Sequence, residues 1–355
     1  MKRTFHTLSF CMLACFLSPL HAFPTPSPSP SPPSSNSVSD DDKRDSGATS
    51  ANTPANPNNT ATETPVFAAG RAQLSQDQRN SASSPDTEYD SPEAALKDNS
   101  WFRSPAVFAD YSYSTANDQR AFGLDSDQHD VNVGFDFLTI YDIIAGMMIT
   151  YSNFNGTADD IPGARIRTDT DTVQLSWYLS KQFNDWLFGG TTLSYSLSDL
   201  DQRTAGAANA DFDIDTISTS VFLGAAKNWD SFGLASTVSY VYVDATWDPV
   251  GQAGVTNDFN QSSGTFLWKT SGTWFATDWL DLTAAYQMNQ IVHENFNTVA
   301  PAGTNSDDNH WGTVSLTANV IPCQNWSLYT GVEYVVFNEN YEESITVRSG
   351  ATYSF

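Results

Sequence analysis

Cysteine is scarce: three in 355 residues, at Cys11, Cys15 and Cys323. The first two fall in the leader described below, so Cys323 has no intramolecular partner and no disulfide framework is available. Positive charge is scarce as well. Sixteen Lys and Arg face 41 Asp and Glu, a formal net charge of −25 at pH 7. So acidic a chain offers no basic patch to a phosphate backbone, which excludes nucleic acid as a partner. Beyond the first residues there is no apolar run long enough for a membrane-spanning helix. That does not exclude crossing by strands, whose apolar residues occupy alternate positions and leave the mean hydropathy looking soluble. Aromatic residues are plentiful, at 13%.

The chain opens with a basic head, Met1-Lys2-Arg3, and an apolar stretch from Phe5 through Leu17; Leu20-His21-Ala22 then supplies a small residue for cleavage. This predicts a secretory signal peptide over 1–22. Residues 23–100 are rich in Pro, Ser, Asn, Thr and Asp. The stretch "PTPSPSPSPPSS" (Pro24 to Ser35) is a polyproline-II spacer by composition. The rest has few large apolar residues and cannot offset the entropy of folding, so a disordered linker is expected. One short helix is expected within it, over Ser91 to Lys97, where Ser caps and Pro suits the first turn.

From Trp101 to Phe355 the texture changes to short alternating runs between turns. Twelve strands are predicted, at 106–114, 129–138, 142–153, 171–181, 186–198, 213–225, 232–245, 264–275, 279–291, 311–321, 326–338 and 344–355. Val131, Val133, Phe135 and Phe137 share one parity, with Asn132, Gly134 and Asp136 on the other. Val173, Leu175, Trp177 and Leu179 repeat the rule. Connections alternate between short ones, near 139–141, 182–185, 226–231, 276–278 and 322–325, and long ones, such as 154–170 and 199–212. Tight turns at one end and long loops at the other imply an all-β transmembrane antiparallel barrel of the outer-membrane kind. Tyr141, Trp186, Trp229, Trp279 and Trp326 recur at the short turns and predict an aromatic girdle at the membrane–water boundary. The alternation runs on to the final "GATYSF" (Gly350 to Phe355). A closed barrel explains this, because its last strand must pair with its first.

The terminal Tyr353 and Phe355 resemble the C-terminal signal read by the barrel assembly machinery of Gram-negative bacteria. "HDVNVGFDFLTIYDIIAGMMITYSN" (His129 to Asn153), with Gly134, Asp136, Gly146 and Tyr151, is similar to the second hairpin of autotransporter β-domains. "TDTDTVQLSWYLSKQFNDWLFGGTTLSYSLSDLDQR" (Thr168 to Arg203) resembles the hairpin that follows. The resemblance covers Trp101 to Phe355 and implies a twelve-stranded barrel. Autotransporters carry a long passenger ahead of the barrel; here 23–100 is too short and too polar for one.

By parity, Asp110, Asp136, Lys269, Glu333 and Arg348 are the charged residues expected to face the lumen, where mixed charges either set selectivity or brace the wall. The predicted long loops hold acidic clusters: Asp159-Asp160, Asp199 with Asp201, Asp211 with Asp213 and Asp215, and Asp307-Asp308. Clustered carboxylates offer oxygen ligands to divalent cations, although none has the spacing of a calcium loop. His129, His293 and His310 are expected at the loop ends of strands, but no nucleophile motif or acidic pair of recognised spacing accompanies them, so no enzyme and no cofactor is expected. The expected function is a passive, cation-preferring channel or surface protein of the outer membrane. The alternative is an autotransporter-type translocator with 23–100 as a very short unstructured passenger. Expected partners are outer-membrane lipid, the assembly machinery and divalent cations at the acidic loops.

Overall fold

A computed structural model describes residues 102–118, 124–139, 141, 143–161, 164–204, 209–250, 259–296, 310–323, 325–336 and 341–355. The expected signal peptide and linker lie outside these residues. The described chain forms twelve strands: β1 (Phe102–Asp118), β2 (Leu124–Thr139), β3 (Ile143–Ile161), β4 (Ala164–Gln182), β5 (Leu187–Thr204), β6 (Ala210–Asn228), β7 (Phe232–Val250), β8 (Phe259–Thr277), β9 (Leu280–Phe296), β10 (His310–Cys323), β11 (Trp326–Val336) and β12 (Tyr341–Ser354). Each pairs antiparallel with its sequence neighbours, and β1 pairs with β12 from Ala106↔Ser354 to Asp118↔Tyr341, closing the barrel. No backbone edge is left for lipid to face, which is what the hydrocarbon region demands of a sheet.

The side-chain pattern is inverted relative to a water-soluble barrel. Outward residues are apolar and half exposed: Val173 54%, Leu197 54%, Val221 58%. Inward neighbours are polar and buried: Ser176 0%, Gln174 2%, Ser194 2%. The outward apolar stretch runs over 173–179 on β4, 187–197 on β5 and 217–225 on β6. A tilted strand needs about 9–11 residues to cross a bilayer, which the stretches on β5 and β6 supply.

The strands overrun the predicted spans at the long-loop end. β4 begins at Ala164 rather than 171, β5 continues to Thr204 rather than 198, and β6 begins at Ala210 rather than 213. Once a strand leaves the lipid its outward positions face water, so the hydrophobic alternation ends while the backbone ladder continues. Asp199, Asp201, Asp211, Asp213 and Asp215 are therefore strand residues, not loop residues. Asp159-Asp160 fall at the end of β3, and Asp307-Asp308 lie outside the described residues.

The short turns are capped locally. Asn184 Oδ1 accepts from the backbone N–H of Trp186 (3.0 Å) and Leu187 (2.8 Å), and Thr139 Oγ1 accepts from Ile143 N–H (3.1 Å). Just inside this end, Phe108, Ile144, Met148, Tyr178, Phe188 and Phe222 pack as an inward apolar cluster. Two glycines make room for it: a Cβ at Gly146 would collide with the Tyr178 ring, and one at Gly134 with Phe108. A second inward apolar cluster, Leu200, Phe212, Ile214, Ala245 and Trp247, lies towards the other end.

Candidate functional site

A barrel offers three surfaces for function: its interior, its lipid-facing band and its rims. The five predicted lumen residues all stand at inward register positions: Asp110 on β1, Asp136 on β2, Lys269 on β8, Glu333 on β11 and Arg348 on β12. Two further inward carboxylates escaped the sequence reading, Asp130 on β2 and Asp281 on β9. Parity alone would have found both, since Asp130 shares a face with Asp136, and Asp281 with Thr283 and Ala285.

Side chains tie the acidic group on β1–β3 together. Asp130 accepts from Ser112 Oγ (2.9 Å), Gln128 Nε2 (2.8 Å) and Ser152 Oγ (2.5 Å). Asn132 Nδ2 donates to Asp110 (2.7 Å) and Thr150 Oγ1 donates to Asn132 Oδ1 (2.5 Å). Tyr178 OH donates to Asp136 (2.9 Å) across β3. Arg348 lies within electrostatic reach of Asp110, and Lys269 of both Glu333 and Arg348. Asn319 Nδ2 reaches Asp281 at 3.4 Å.

The interior is divided. Among the described side chains, every inward acid or base stands on β1, β2, β8, β9, β11 or β12. The inward faces of β4–β7 carry none; between the two apolar clusters β4–β6 present Ser, Thr and Gln, and β7 adds buried Val241 and Val243, which pack with Leu267 of β8. Five carboxylates against two cations leave the charged half of the wall net negative.

On the outside, Tyr141, Trp186, Trp229, Trp279 and Trp326 are exposed at the short turns. Tyr353 stacks obliquely on Trp326 (centroids 5.0 Å) and edge-on with Phe355 (4.9 Å). Phe355 N–H donates to Pro105 O (3.0 Å), so the last residue still belongs to the β1–β12 seam.

At the opposite rim the outward faces of β4–β7 form an acidic ladder. Asp171 stands opposite Asp199, Asp199 opposite Asp213, and Asp213 opposite Asp248; one step further out, Asp169, Asp201 and Asp211 are in line. Like charges directly opposite destabilise a sheet. The repulsion is relieved in part by Tyr151 OH donating to Asp171 (2.7 Å), Tyr195 OH donating to Asp215 (2.6 Å), and Arg167–Asp169 and Arg203–Asp201 pairs at 3.4 and 3.7 Å. These carboxylates lie beyond the apolar band. Lost hydration, then the charges of Asp201, Asp213, Asp171 and Asp211, hold the Asp199 carboxyl above the usual range. Hydrogen bonds from Tyr151 and then Asn153 hold Asp171 below it. A group with a raised folded-state pKa opposes folding while ionised, and that cost is relieved as pH falls through its folded pKa. Asp199→Asn is therefore expected to stabilise the barrel at neutral pH, by about 0.5 kcal/mol from removing opposed charges, and so to raise the unfolding midpoint. The gain should fade as the pH is lowered through the carboxylate range, read by thermal melts of the detergent-solubilised barrel.

His129 sits within β2, not at its loop end; Tyr111 OH is 2.7 Å from its Nδ1, and the Tyr113 ring lies 4.8 Å from it. His293 pairs with Gly264 and His310 with Gln290. Among the described residues no three His, Cys, Asp or Glu side chains are grouped to hold a metal ion.

No protein-family model matches the chain, and no curated protein matches it. Solved structures do. The translocator domain of the autotransporter NalP from Neisseria meningitidis superposes with a TM-score of 0.59 at 15% identity, over 82% of this chain and 99% of that one. The chain has the fold of an autotransporter translocator barrel. The transport unit of the autotransporter AIDA-I from Escherichia coli gives 0.57 at 16% identity, over 81% of this chain and 99% of that one. The β-domain of the Bordetella autotransporter BrkA gives 0.54 at 13%, over 71% and 100%. At these identities the likeness is one of fold, that of an outer-membrane β-barrel.

Proposed function

We propose that this barrel is a passive, cation-preferring channel of the outer membrane. The observation that carries the reading is the inward charge. Asp110, Asp130, Asp136, Asp281 and Glu333 outnumber Lys269 and Arg348, and all seven stand on one half of the wall. A net negative, low-dielectric wall concentrates cations and repels anions. In this reading the barrel catalyses nothing, its band contacts outer-membrane lipid, the assembly machinery reads Tyr353 and Phe355, and the rim carboxylates gather divalent cations from the medium.

The test is the reversal potential of the full chain in a planar bilayer under a KCl gradient. Cation preference is expected, with the Asp110→Asn/Glu333→Gln double variant moving the potential towards zero at similar conductance. An unselective or anion-selective pore would overturn the reading.

A second reading, an autotransporter-type translocator, is favoured by two observations. The solved structures above are a translocator domain, a transport unit and a β-domain of autotransporters. In addition, the inward hydroxyls of β4–β6 are buried rather than wetted, as polypeptide in the lumen would leave them. Under this reading, protease added to intact cells cleaves within residues 23–100; under the channel reading it does not.

A further inference from the structure

The inward charges do not all find partners. Asp110, Asp130, Asp136 and Asp281 each accept a side-chain hydrogen bond. Lys269 and Glu333 make neither a hydrogen bond nor an ion pair with any described residue, although each lies within electrostatic reach of the other. Both side chains are flexible, and the barrel wall strips Lys269 of much of its hydration. Opposite charges in that setting close into a pair when nothing belongs between them, because a desolvated charge without a partner is costly. These two stand apart.

The wall between them is low and open. Glu333 on β11 is in register with Ser315 on β10, Ser315 with Ala285 on β9, and Ala285 with Ser271 on β8, two residues from Lys269. Ser315, Ala285 and Ser271 carry small side chains and, like Lys269 and Glu333, are only partly buried. Inward positions of a closed barrel are reached from the lumen alone, so this row is the floor of a recess that the lumen opens onto. The inner wall of β4–β6 is unlike it: there Ser176 is 0% and Ser194 2% exposed. Three inter-strand spacings, about 14 Å along the wall, separate β8 from β11. Two long side chains reaching in from the ends leave room for a small molecule.

What fits the recess must carry both charges. Lys269 calls for an anion, and Arg348, within electrostatic reach of it, reinforces that end. Glu333 calls for a cation. An inorganic cation would satisfy Glu333 and be repelled by Lys269; an inorganic anion would meet the reverse. A molecule with a carboxylate and an ammonium a short distance apart satisfies both ends through charge-assisted hydrogen bonds.

We propose that Lys269 and Glu333 form a binding site for a small zwitterion, a free amino acid or dipeptide, with Lys269 on its carboxylate and Glu333 on its ammonium. The proposal rests on the channel reading for the passage of this solute, not for its binding, which is measured without conductance. The full chain, extracted from outer membranes in a non-ionic detergent and a buffer that is not zwitterionic, is titrated calorimetrically at neutral pH with glycylglycine, N-acetyl-glycylglycine and glycylglycinamide. The three share a backbone and differ in which end is charged. Glycylglycine is expected to bind with a Kd of about 1 mM or tighter, and each capped form about tenfold or more weaker. Glu333→Gln should abolish the preference over the acetylated form, and Lys269→Met the preference over the amide. Both variants are checked for the heat-dependent gel mobility of a folded barrel, and the comparison of the three peptides on the unaltered protein stands by itself if a variant does not assemble.

Equal heats from all three peptides, or none from any, overturn the proposal. A preference for glycylglycine that both variants keep places the site elsewhere and overturns it too. So does a preference for the amide alone, which makes Glu333 a plain cation site. Glycylglycine binding in a protein that conducts no ions would keep the site and reject the channel. Cation-selective conductance without glycylglycine binding would do the opposite.

Discussion

Replacing Gly146 with valine destabilises the heat-resistant folded barrel by about 2–6 kcal/mol. Gly146 lies on β3, inward, opposite Asp136 on β2 and Tyr178 on β4. The Tyr178 ring lies across it, so that a Cβ would overlap the ring carbons and the hydroxyl. Tyr178 has little freedom to move aside: it is among the largest fully buried side chains and its hydroxyl donates to Asp136 at 2.9 Å. Any escape costs about 1–3 kcal/mol of overpacking, plus about 1–3 kcal/mol for the buried hydrogen bond it breaks. That sum is a large part of the stability of an ordinary domain, roughly 5–15 kcal/mol. The check is urea unfolding of refolded protein, followed by gel mobility with and without boiling. The origin of the effect is checked with Gly146→Val/Tyr178→Ala: removing the ring should recover part of the loss if collision is the cause. A Gly146→Val barrel as stable as the parent would mean that the ring does not lie over the glycine.

Deleting Ser349–Phe355 abolishes assembly altogether. These residues supply six register partners to β1, Ala106 to Tyr111, and five to β11, Trp326 to Thr330. Without them both strands expose backbone N–H and C=O groups at the depth of the hydrocarbon, at several kcal/mol for each group that finds no partner. No rearrangement of side chains compensates for that. Phe355→Ser separates pairing from recognition. Its N–H to Pro105 O bond is a backbone bond that serine keeps, and the phenyl ring is 69% exposed. Molecules of this variant that do assemble should unfold at the wild-type midpoint, while the amount reaching the outer membrane falls. Wild-type amounts of Phe355→Ser would remove the assembly signal from the account. Heat-resistant barrels from the truncated chain would remove the seam.

Most of the barrel was legible in the sequence because lipid writes a strong pattern. Over 173–179 or 217–225 the outward residue must be apolar and its neighbour need not be, so alternation gives both the strand and its face. The short turns were legible too, because Tyr141, Trp186, Trp229, Trp279 and Trp326 recur beside them. The pattern fails where the lipid ends. Asp199, Asp201 and Asp211 read as loop because nothing apolar marks their outward face, yet their backbones continue the ladder. His129 was placed at a strand end for the same reason.

Inside the barrel, parity assigned Asp110, Asp136, Lys269, Glu333 and Arg348 to inward positions, but sequence could not show that charge is confined to one half of the wall. That segregation depends on which strands adjoin around a closed circle. Asp110 and Arg348 stand 238 positions apart along the chain, yet they share the seam where β1 meets β12. Nor could sequence show that Lys269 and Glu333 stand within reach of each other; only the register lays Ser271, Ala285 and Ser315 in a row between β8 and β11.

Every functional statement above requires an enclosed interior, and the interior exists only if β1 meets β12. The direct measurement is a disulfide across that seam. Ala109 and Ala351 are register partners on the outward face, and neighbouring antiparallel strands hold Cα atoms about 4.5–5.5 Å apart, within the span of a disulfide. In a Cys323→Ser background, Ala109→Cys/Ala351→Cys should oxidise to one intramolecular bond in nearly all molecules in the membrane. It should appear as a shifted band on a non-reducing gel after full denaturation, with Ala109→Cys alone unshifted. Free thiols in folded protein, or crosslinks only between molecules, would show two open edges where the structure has a seam.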